Sequence, residues 1–334
     1  MELPCVRVPR EEGEAARREL AESDLIESEF EIVVEDGWLY LPVGDPAAVP
    51  ETFDVVDHDV PARDTQTTPA DILGFEPSYE RLGDVALLEE DDTERAQQIA
   101  AAIVDSDLPL KTVLNKASKI KGEERVRDWE VLAGDGTETV HREYGCEFVL
   151  DIAEVYFSPR LATERHRVAA QVEAGEHVFD MFAGVGPFAI PMAKQGGEVV
   201  AVDVNPQAVE YLRENARRND VEARVTAIEG DVREVVAGSI GERAYAGWAD
   251  RIVMNLPHSA GDFLDSAVRL AGEECVLHYY DIQHEDDLFG PGTRAIRAAV
   301  GDAYDVVVLT ERVVRSYSPH EWNVCLDVRL TRRD

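Results

Sequence analysis

Lysine is almost missing from this chain. Of its 334 residues 33 are basic, yet only five of those are lysine, against 68 aspartates and glutamates, for a formal net charge of −35. Such an acidic, lysine-poor composition suggests a protein working at very high salt; the plainer alternative is an acidic mesophilic protein. At 1 M salt the Debye length is only about 3 Å, so self-repulsion is screened and so is long-range repulsion of a polyanionic partner. The acidity therefore does not exclude nucleic acid. Cysteine is scarce too: Cys5, Cys146, Cys275 and Cys325 are scattered, with no Cys-x-x-Cys pair. This argues against a zinc site or a disulfide framework, predicts no metal centre, and fits a reducing cytoplasm. No run approaches the roughly 18 apolar residues of a membrane span. Met1 is followed by polar and charged sequence rather than a signal peptide. The expectation is a cytoplasmic monomer with no obligatory protein partner.

What is present is 45% hydrophobic residues, enough for real cores, in a length that usually makes two or three domains. Residues 1–45 read as a small α+β unit: a strand (CVRVP), a helix (EEGEAARRELAESDLI), and two strands turning at Asp36-Gly37. Residues 46–68, rich in Pro, Asp and Thr and without sustained periodicity, read as a linker. Residues 69–155 read as a second α+β domain, with a helix at DTERAQQIAAAIVDSD and strands at KTVLNK, RDWEVLAG, TETVHREYG and CEFVLDIAEVYF. From 156 to 334 helices and strands alternate, which predicts a doubly wound α/β sheet. Its last two strands have only ERVVRSYSPHEW between them, too little for a parallel crossover, so they are expected to be antiparallel.

The stretch FDMFAGVGPFAIPMAK, 179–194, is an apolar run ending in an acid, then a glycine-rich turn, then a helix-like run. Gly184 and Gly186 permit close backbone approach and positive φ. Pro187 suits a helix's first position, whereas Pro191 is awkward inside one. A dinucleotide site would favour G-x-G-x-x-G, but the third position is Ala189. Asp180 would sit badly beside phosphates and well beside an ammonium. Asp203 ends the next strand, where a carboxylate can accept from ribose hydroxyls, and Asp231 ends the third, placed to meet an adenine amino group. Three carboxylates and no lysine around a glycine loop fit a cationic, phosphate-free nucleoside, S-adenosylmethionine. The fourth strand ends in MNLPH; Asn255 and Pro257 there would set an amide and a stiffened turn beside the transferring methyl.

At these residues the chain resembles the archaeal/eukaryotic tRNA (guanine-37-N1)-methyltransferases. The resemblance rests on VYFSPRLATERHRVAAQV, VFDMFAGVGPFAIPMAK, VDVNPQAVEYLRENARRN, MNLPHSAGDFL and VRSYSP, extends through REYGCEFVLDIAEVYFSPR, and reaches the N-terminal unit; it is weak in the linker and in 235–249, which looks like a loop insertion. It implies a class I methyltransferase (Rossmann-like) domain after two small α+β domains, the first binding the tRNA elbow. It implies methyl transfer from S-adenosylmethionine, leaving S-adenosylhomocysteine, to N1 of guanosine-37, which supports reading-frame maintenance. Guanine N1 carries a proton, so the site needs a base for N1–H and a cation or donor for O6. The resemblance makes Glu164 the base and puts the O6 cation at Arg125, with Arg127 close behind. It sets Tyr156 at the target pocket, though Tyr156 equally suits a core. It places Asn255 against the base, and Phe182, Gly184, Gly186 and Asn205 beside Asp180, Asp203 and Asp231 at the cofactor.

Four of the five lysines, Lys111, Lys116, Lys119 and Lys121, fall within eleven residues, just before Arg125 and Arg127. In so acidic a chain this is a local cationic patch fit to hold tRNA phosphates, with Arg160 further on. The rival readings are the wybutosine-pathway tRNA enzymes, by aminocarboxypropyl transfer or methylation of a wyosine precursor, and a non-catalytic tRNA-binding protein.

Overall fold

The computed structural model describes residues 1–63, 66–118, 122, 126–238 and 245–333. They divide into two compact units, Met1–Thr68 with Ser106–Leu108, and Pro69–Asp105 with Pro109–Asp334.

The first unit is a four-stranded sheet with one helix. Its elements are β1 (Glu2–Pro9), α1 (Gly13–Glu22), β2 (Val33–Glu35), β3 (Trp38–Pro42) and β4 (Asp54–Asp59), with strand order β2-β3-β1-β4. Ala16 and Leu20 of α1 pack on Val6, Val8 and Leu41. The β2–β3 turn uses Asp36 and Gly37, both at positive φ (50° and 84°), the geometry that matches strand twist in a two-residue hairpin. Strand β4 corrects the reading of 46–68 as a linker, because it pairs along β1 from Glu2↔Asp59 to Arg7↔Asp54. Three aspartates in six residues hide the strand's apolar signal, and charge of this kind is what an edge strand carries to discourage further pairing.

The second unit begins with α2 (Pro69–Leu73), β5 (Glu80–Leu82), β6 (Val85–Leu88), α3 (Thr93–Asp105), β7 (Thr112–Lys116) and β8 (Trp129–Ala133). They form a sheet of order β5-β6-β7-β8, in which α3 carries the crossover between parallel β6 and β7. Strands β5 and β6 go beyond the sequence reading; they are three and four residues long, too short to show a period. A hairpin of β9 (Glu138–Glu143) and β10 (Cys146–Asp151) follows.

The rest is α4 (Ala162–Ala169), β11 (His177–Asp180), α5 (Ala189–Lys194), β12 (Glu198–Asp203), α6 (Pro206–Arg218), β13 (Val225–Glu229), α7 (Val232–Val236), β14 (Ala249–Met254), α8 (Leu264–Leu270), β15 (Ala271–His284), α9 (Gly290–Val300), β16 (Tyr304–Ser318) and β17 (Glu321–Arg332). The sheet runs β13-β12-β11-β14-β15-β17-β16, with β17 antiparallel to both neighbours. Successive residues serve opposite faces: Val178 belongs to one core cluster and Phe179 to the other. Strand order reverses between β11 and β14, and ligands of open α/β sheets bind outside the strand ends at such a point. Helix α5 starts at Ala189, not at Pro187, which leaves Pro191 in the first turn, where its missing N–H costs no intrahelical bond. Within 235–249, residues 239–244 lie outside the described part.

Asn215 of α6 ties the hairpin to the glycine loop. Its buried amide accepts from Val149 N (2.8 Å) and donates to the carbonyls of Val149 (3.1 Å) and Val185 (3.0 Å). Asn215→Ala leaves three buried backbone groups unpaired, at about 1–3 kcal/mol for a lost buried partner. We expect urea unfolding to show a loss of about 3 kcal/mol or more, whereas Arg217→Ala on the exposed face of the same helix changes little.

Candidate active site

Helix α4 hangs a carboxylate over the sheet. Glu164, 3% exposed, lies in its first turn. Its Oε1 accepts from Arg167 Nη2 (2.7 Å) and from the Tyr280 hydroxyl (2.9 Å), and its Oε2 from Arg167 Nε (2.9 Å). Arg312 Nε of β16 is 2.9 Å from Oε2 but makes no hydrogen bond. Arg167 also binds both oxygens of Asp327, at 2.5 and 3.1 Å. Burial alone would raise the Asp327 carboxyl, but His278 and Arg167 hold it well below the usual carboxylate range.

The chain of charges continues down the sheet. His278 Nδ1 is 2.6 Å from Asp327 Oδ1, and its Nε2 is 2.7 Å from Arg251 Nη1. A guanidinium only donates, so Nε2 accepts and Nδ1 carries the proton given to Asp327. Burial lowers the His278 pKa, consistent with a neutral ring. Arg251 ends on Glu176 (2.8 Å). His278, Cys325 and Asp327 stand close enough to hold a metal ion. Two guanidiniums already face this trio, and burial pushes the Cys325 thiol far up, so the donor set is ill suited to a further cation.

Next to Glu164 on α4, Arg165 points away from it. Arg165 is 2% exposed and bidentate to Glu143 of β9 (2.6 and 2.5 Å), with a third bond to the Ser158 carbonyl (3.0 Å). It locks α4 and the preceding loop to the hairpin. Burial favours the neutral Glu143, yet bonds from His141 and Arg165 keep its pKa below the usual value.

The glycine loop leaves β11 at Asp180. Asp180 is 1% exposed; Oδ1 takes a long bond from Phe182 N (3.4 Å), and Oδ2 is buried with no partner. Burial raises its pKa to about 7, with Asp203 adding to the rise. Gly184 and Gly186 have φ of 52° and 91°. A Cβ at Gly184 would meet only the Tyr156 carbonyl, at 3.9 Å, so the loop leaves open space there; at Gly186 it would strike Leu212 at 2.5 Å, so that glycine serves packing. Asp203 accepts from Gly184 N (2.6 Å) and Asn205 N (2.9 Å).

Two of the expected cofactor residues have other engagements. Asn205 is buried; its oxygen caps α6 and its amide donates to the Glu154 carbonyl (2.9 Å). Asp231 caps α7 and pairs with Arg233, which lowers its pKa. Arg233 in turn lies 4.8 Å over the Phe263 ring, itself edge-on to Phe182 at 4.9 Å.

The register Met254↔Tyr279 puts Asn255 just past β14, beside Tyr280. The Asn255 side chain makes no hydrogen bond among the described residues. The Pro257 carbonyl accepts from Ile282 N (3.2 Å), which pins the turn to β15. Tyr156 is half-buried beside the glycine loop.

Of the cationic stretch, Lys119, Lys121 and Arg125 lie outside the described residues. Lys111 pairs with Asp84 (2.8 Å), Lys116 with Glu89 (2.6 Å), and Arg160 with Glu80. Arg127 sits 5.5 Å over Trp129. The described lysines are thus each matched by an acid. The sequence reading missed Arg167, Tyr280, Asp327 and His278. The available signal was charge inside apolar strands, in VLHYY and VCLDVRL, and an arginine three residues after Glu164.

A sheet of this order, with a buried acid before a glycine loop and a second acid ending the next strand, defines a nucleoside-binding methyltransferase fold. Residues 139–308 match the TRM5/TYW2 methyltransferase domain, 66–137 the TYW2 N-terminal domain, and 5–51 the tRNA methyltransferase 5 N-terminal domain. The chain belongs to the TRM5/TYW2 methyltransferase family. It is 40% identical to the tRNA (guanine(37)-N(1))-methyltransferase Trm5b of Pyrococcus abyssi, over 98% of this chain and 99% of the relative. The crystal structure of that Trm5b superposes with a TM-score of 0.72 at 39% identity, covering 98% of this chain and 99% of that one. A complex of aTrm5 and tRNALeu gives the same TM-score at 33% identity, with the same coverage. Methanocaldococcus jannaschii TYW2 in complex with AdoMet gives 0.61 at 28%, covering 77% of this chain and all of that one.

Arg165→Ala would strand Glu143 in the interior, and removing one partner of a buried ion pair costs about 3–5 kcal/mol. Denaturant unfolding should show a loss of that size. With Glu143 held below its usual value, its share of stability is present above the usual carboxylate range and lost as pH falls through its folded pKa.

Proposed function

We propose that the chain transfers a methyl group from S-adenosylmethionine to N1 of guanosine-37 in tRNA. The observation that carries this reading is Glu164: a buried carboxylate bonded to Tyr280, with one acceptor position on Oε2 unused by any hydrogen bond among the described residues. When bound, S-adenosylmethionine supplies an electrophilic methyl on a sulfonium. The residues fit it: the orphaned Asp180 Oδ2 suits its ammonium, the space over Gly184 admits its chain, and Asp203 sets a carboxylate at the strand end where ribose hydroxyls would lie. Asp231 and Phe182, near Arg233 and Phe263, lie where the adenine belongs, and Asn205 serves that site through the loop it ties down.

Glu164 takes the N1 proton at Oε2. Arg167 and Tyr280 hold the carboxylate still, so the base enters against a fixed acceptor. The Asn255 amide, with no partner of its own, orients the purine, and Pro257 stiffens the turn beneath it. Tyr156 lines the entrance. Arg125, or Arg127, stabilises O6. The stretch from Lys111 to Arg127, with Arg160, holds tRNA phosphates, and residues 1–45 bind the tRNA elbow. Lys111, Lys116 and Arg160 must exchange their acid partners for phosphate to do so.

A second reading is transfer of an aminocarboxypropyl group, favoured by the match of 66–137 to the TYW2 N-terminal domain. A Pyrococcus horikoshii aminocarboxypropyltransferase is 34% identical over 75% of this chain and 88% of the relative. The whole-length likeness to Trm5b, including residues 5–51, favours methyl transfer.

The test is incubation with a guanosine-37 transcript and its adenosine-37 variant, with mass analysis of the nucleosides. We expect N1-methylguanosine from the first and no product from the second; an aminocarboxypropyl nucleoside would overturn the reading. Glu164→Gln should lower the single-turnover rate about 10²–10⁴-fold, the usual worth of a general base, with cofactor affinity kept.

Asp180 gives a pH signature. Its pKa of about 7 in the empty site means that a cationic ligand must find it ionised. Affinity for S-adenosylmethionine should rise from about pH 5.5 and level off above about pH 7, with proton uptake by buffer, and Asp180→Asn should bind weakly and flatly across that range. The raised carboxyl also destabilises the empty fold progressively as pH climbs from the usual carboxylate range towards 7, and cofactor reverses this.

A further inference from the structure

Among the described residues, three buried polar atoms without a hydrogen bond fall in one corner of the sheet: Arg312 Nε, Arg315 Nε and Asn323 Oδ1. Buried polar atoms are normally paired, so such a cluster calls for an explanation. Register locates them. Tyr280, Cys325 and Arg312 stand in one row across β15, β17 and β16, and Ile282, Asn323 and Arg315 in the next row towards the strand end. Glu164 sits over the first row through Tyr280 and Arg312. The Asn255–His258 turn borders the second, through the bond from Ile282 N to the Pro257 carbonyl. Asn323 is 2% exposed and makes no side-chain hydrogen bond among the described residues. This corner is unfinished where the proposed target base must lie.

Arg312 is the movable member. Its side chain is 42% exposed, against 4% for Glu164, and among the described residues its one ion pair is the unbonded 2.9 Å approach to Oε2. Arg167, by contrast, is fixed by four bonds to two carboxylates. The carboxylate has four lone-pair positions; Arg167 and Tyr280 take three, and Arg312 stands before the fourth. A purine N1–H bound at Oε2 would compete with Arg312 for that oxygen.

Resting on the function proposed above, we propose that Arg312 is a catalytic residue of exchangeable position: it neutralises Glu164 in the empty enzyme and, as the base enters, yields Oε2 to N1–H and adds its charge to that of Arg125 or Arg127 at O6. Geometry favours the exchange. In guanine O6 is on the atom next to N1, so a cation beside the oxygen that accepts N1–H is also beside O6. As the N1 proton passes to Glu164, the electron pair left behind spreads over N1 and O6, N1 forms its bond to the methyl carbon, and the sulfur keeps the electrons of the bond it loses. Arg312 opposes the charge growing on O6 at that moment, when preorganised donors are worth most. Asn323 Oδ1, one row on and without a partner among the described residues, is an acceptor for the exocyclic amino group.

The experiment is single-turnover methylation of the guanosine-37 transcript, at saturating tRNA and S-adenosylmethionine, by wild type, Arg312→Ala and Arg312→Lys. Wild type must be active; if it forms no methylguanosine, the proposed function falls and this inference with it. With wild type active, Arg312→Ala should be slower by about 10²–10³-fold, as for loss of an oxyanion donor. Arg312→Lys should recover part of the rate, and millimolar guanidinium should restore part of the alanine variant's. Cofactor affinity and the unfolding midpoint should be unchanged. An alanine variant as fast as wild type would overturn the inference and leave the function standing. So would a loss that neither lysine nor guanidinium repairs, or one matched by a lower unfolding midpoint, since each marks a structural role.

Discussion

The second unit depends on keeping a carboxylate inside protein. Glu164 and Asp327 are both nearly dry and share Arg167 between them. Two carboxylates so close would repel strongly in a low-dielectric interior, and one guanidinium, planar and five-donored, can satisfy both at once where an ammonium could not. The cost of burying this group is spread along the line Glu176–Arg251–His278–Asp327–Arg167–Glu164, in which each ion has a bonded neighbour. Such a chain adds little net stability compared with an apolar filling. Its value is that it fixes an acceptor in place at the end of a row of strands.

Asp180 and Glu164 are both buried, and their settings differ. Asp180 lacks any cation and rests with a pKa near neutrality; Glu164 is surrounded by donors. The first is suited to wait for a positively charged ligand, the second to hold its place while another group supplies a proton. Sorting two like groups by environment alone is how one chemistry set can serve two roles.

Much of this was legible in the sequence. Apolar runs ending in Asp180 and Asp203 gave the strands, the glycine pair gave the loop, and the short span before the last strand gave its direction. What the sequence could not show is which side chains meet across the sheet. Asp327 lies 160 residues from Arg167, and no local pattern links them. The cap roles of Asn205 and Asp231 were hidden for a related reason: a residue that ends a strand also begins a helix, and the strand-end argument does not count the backbone N–H groups that its oxygen caps. The aspartates of β4 hid an edge strand. The patch of lysines looked unopposed only because Asp84, Glu80 and Glu89 come earlier in the chain and reach it through the fold.

The route from α4 to its partners has a consequence for how the molecule comes into being. Arg167 and Glu164 leave the ribosome more than a hundred residues before Tyr280, Arg312 and Asp327. Until the final hairpin docks beside β15, α4 carries charges without their buried partners, so the surroundings of Glu164 are completed by contacts of very high sequence separation, the kind that form slowly. A chain cut short before β17 would lose Asp327, and with it the second carboxylate that holds Arg167 against Glu164.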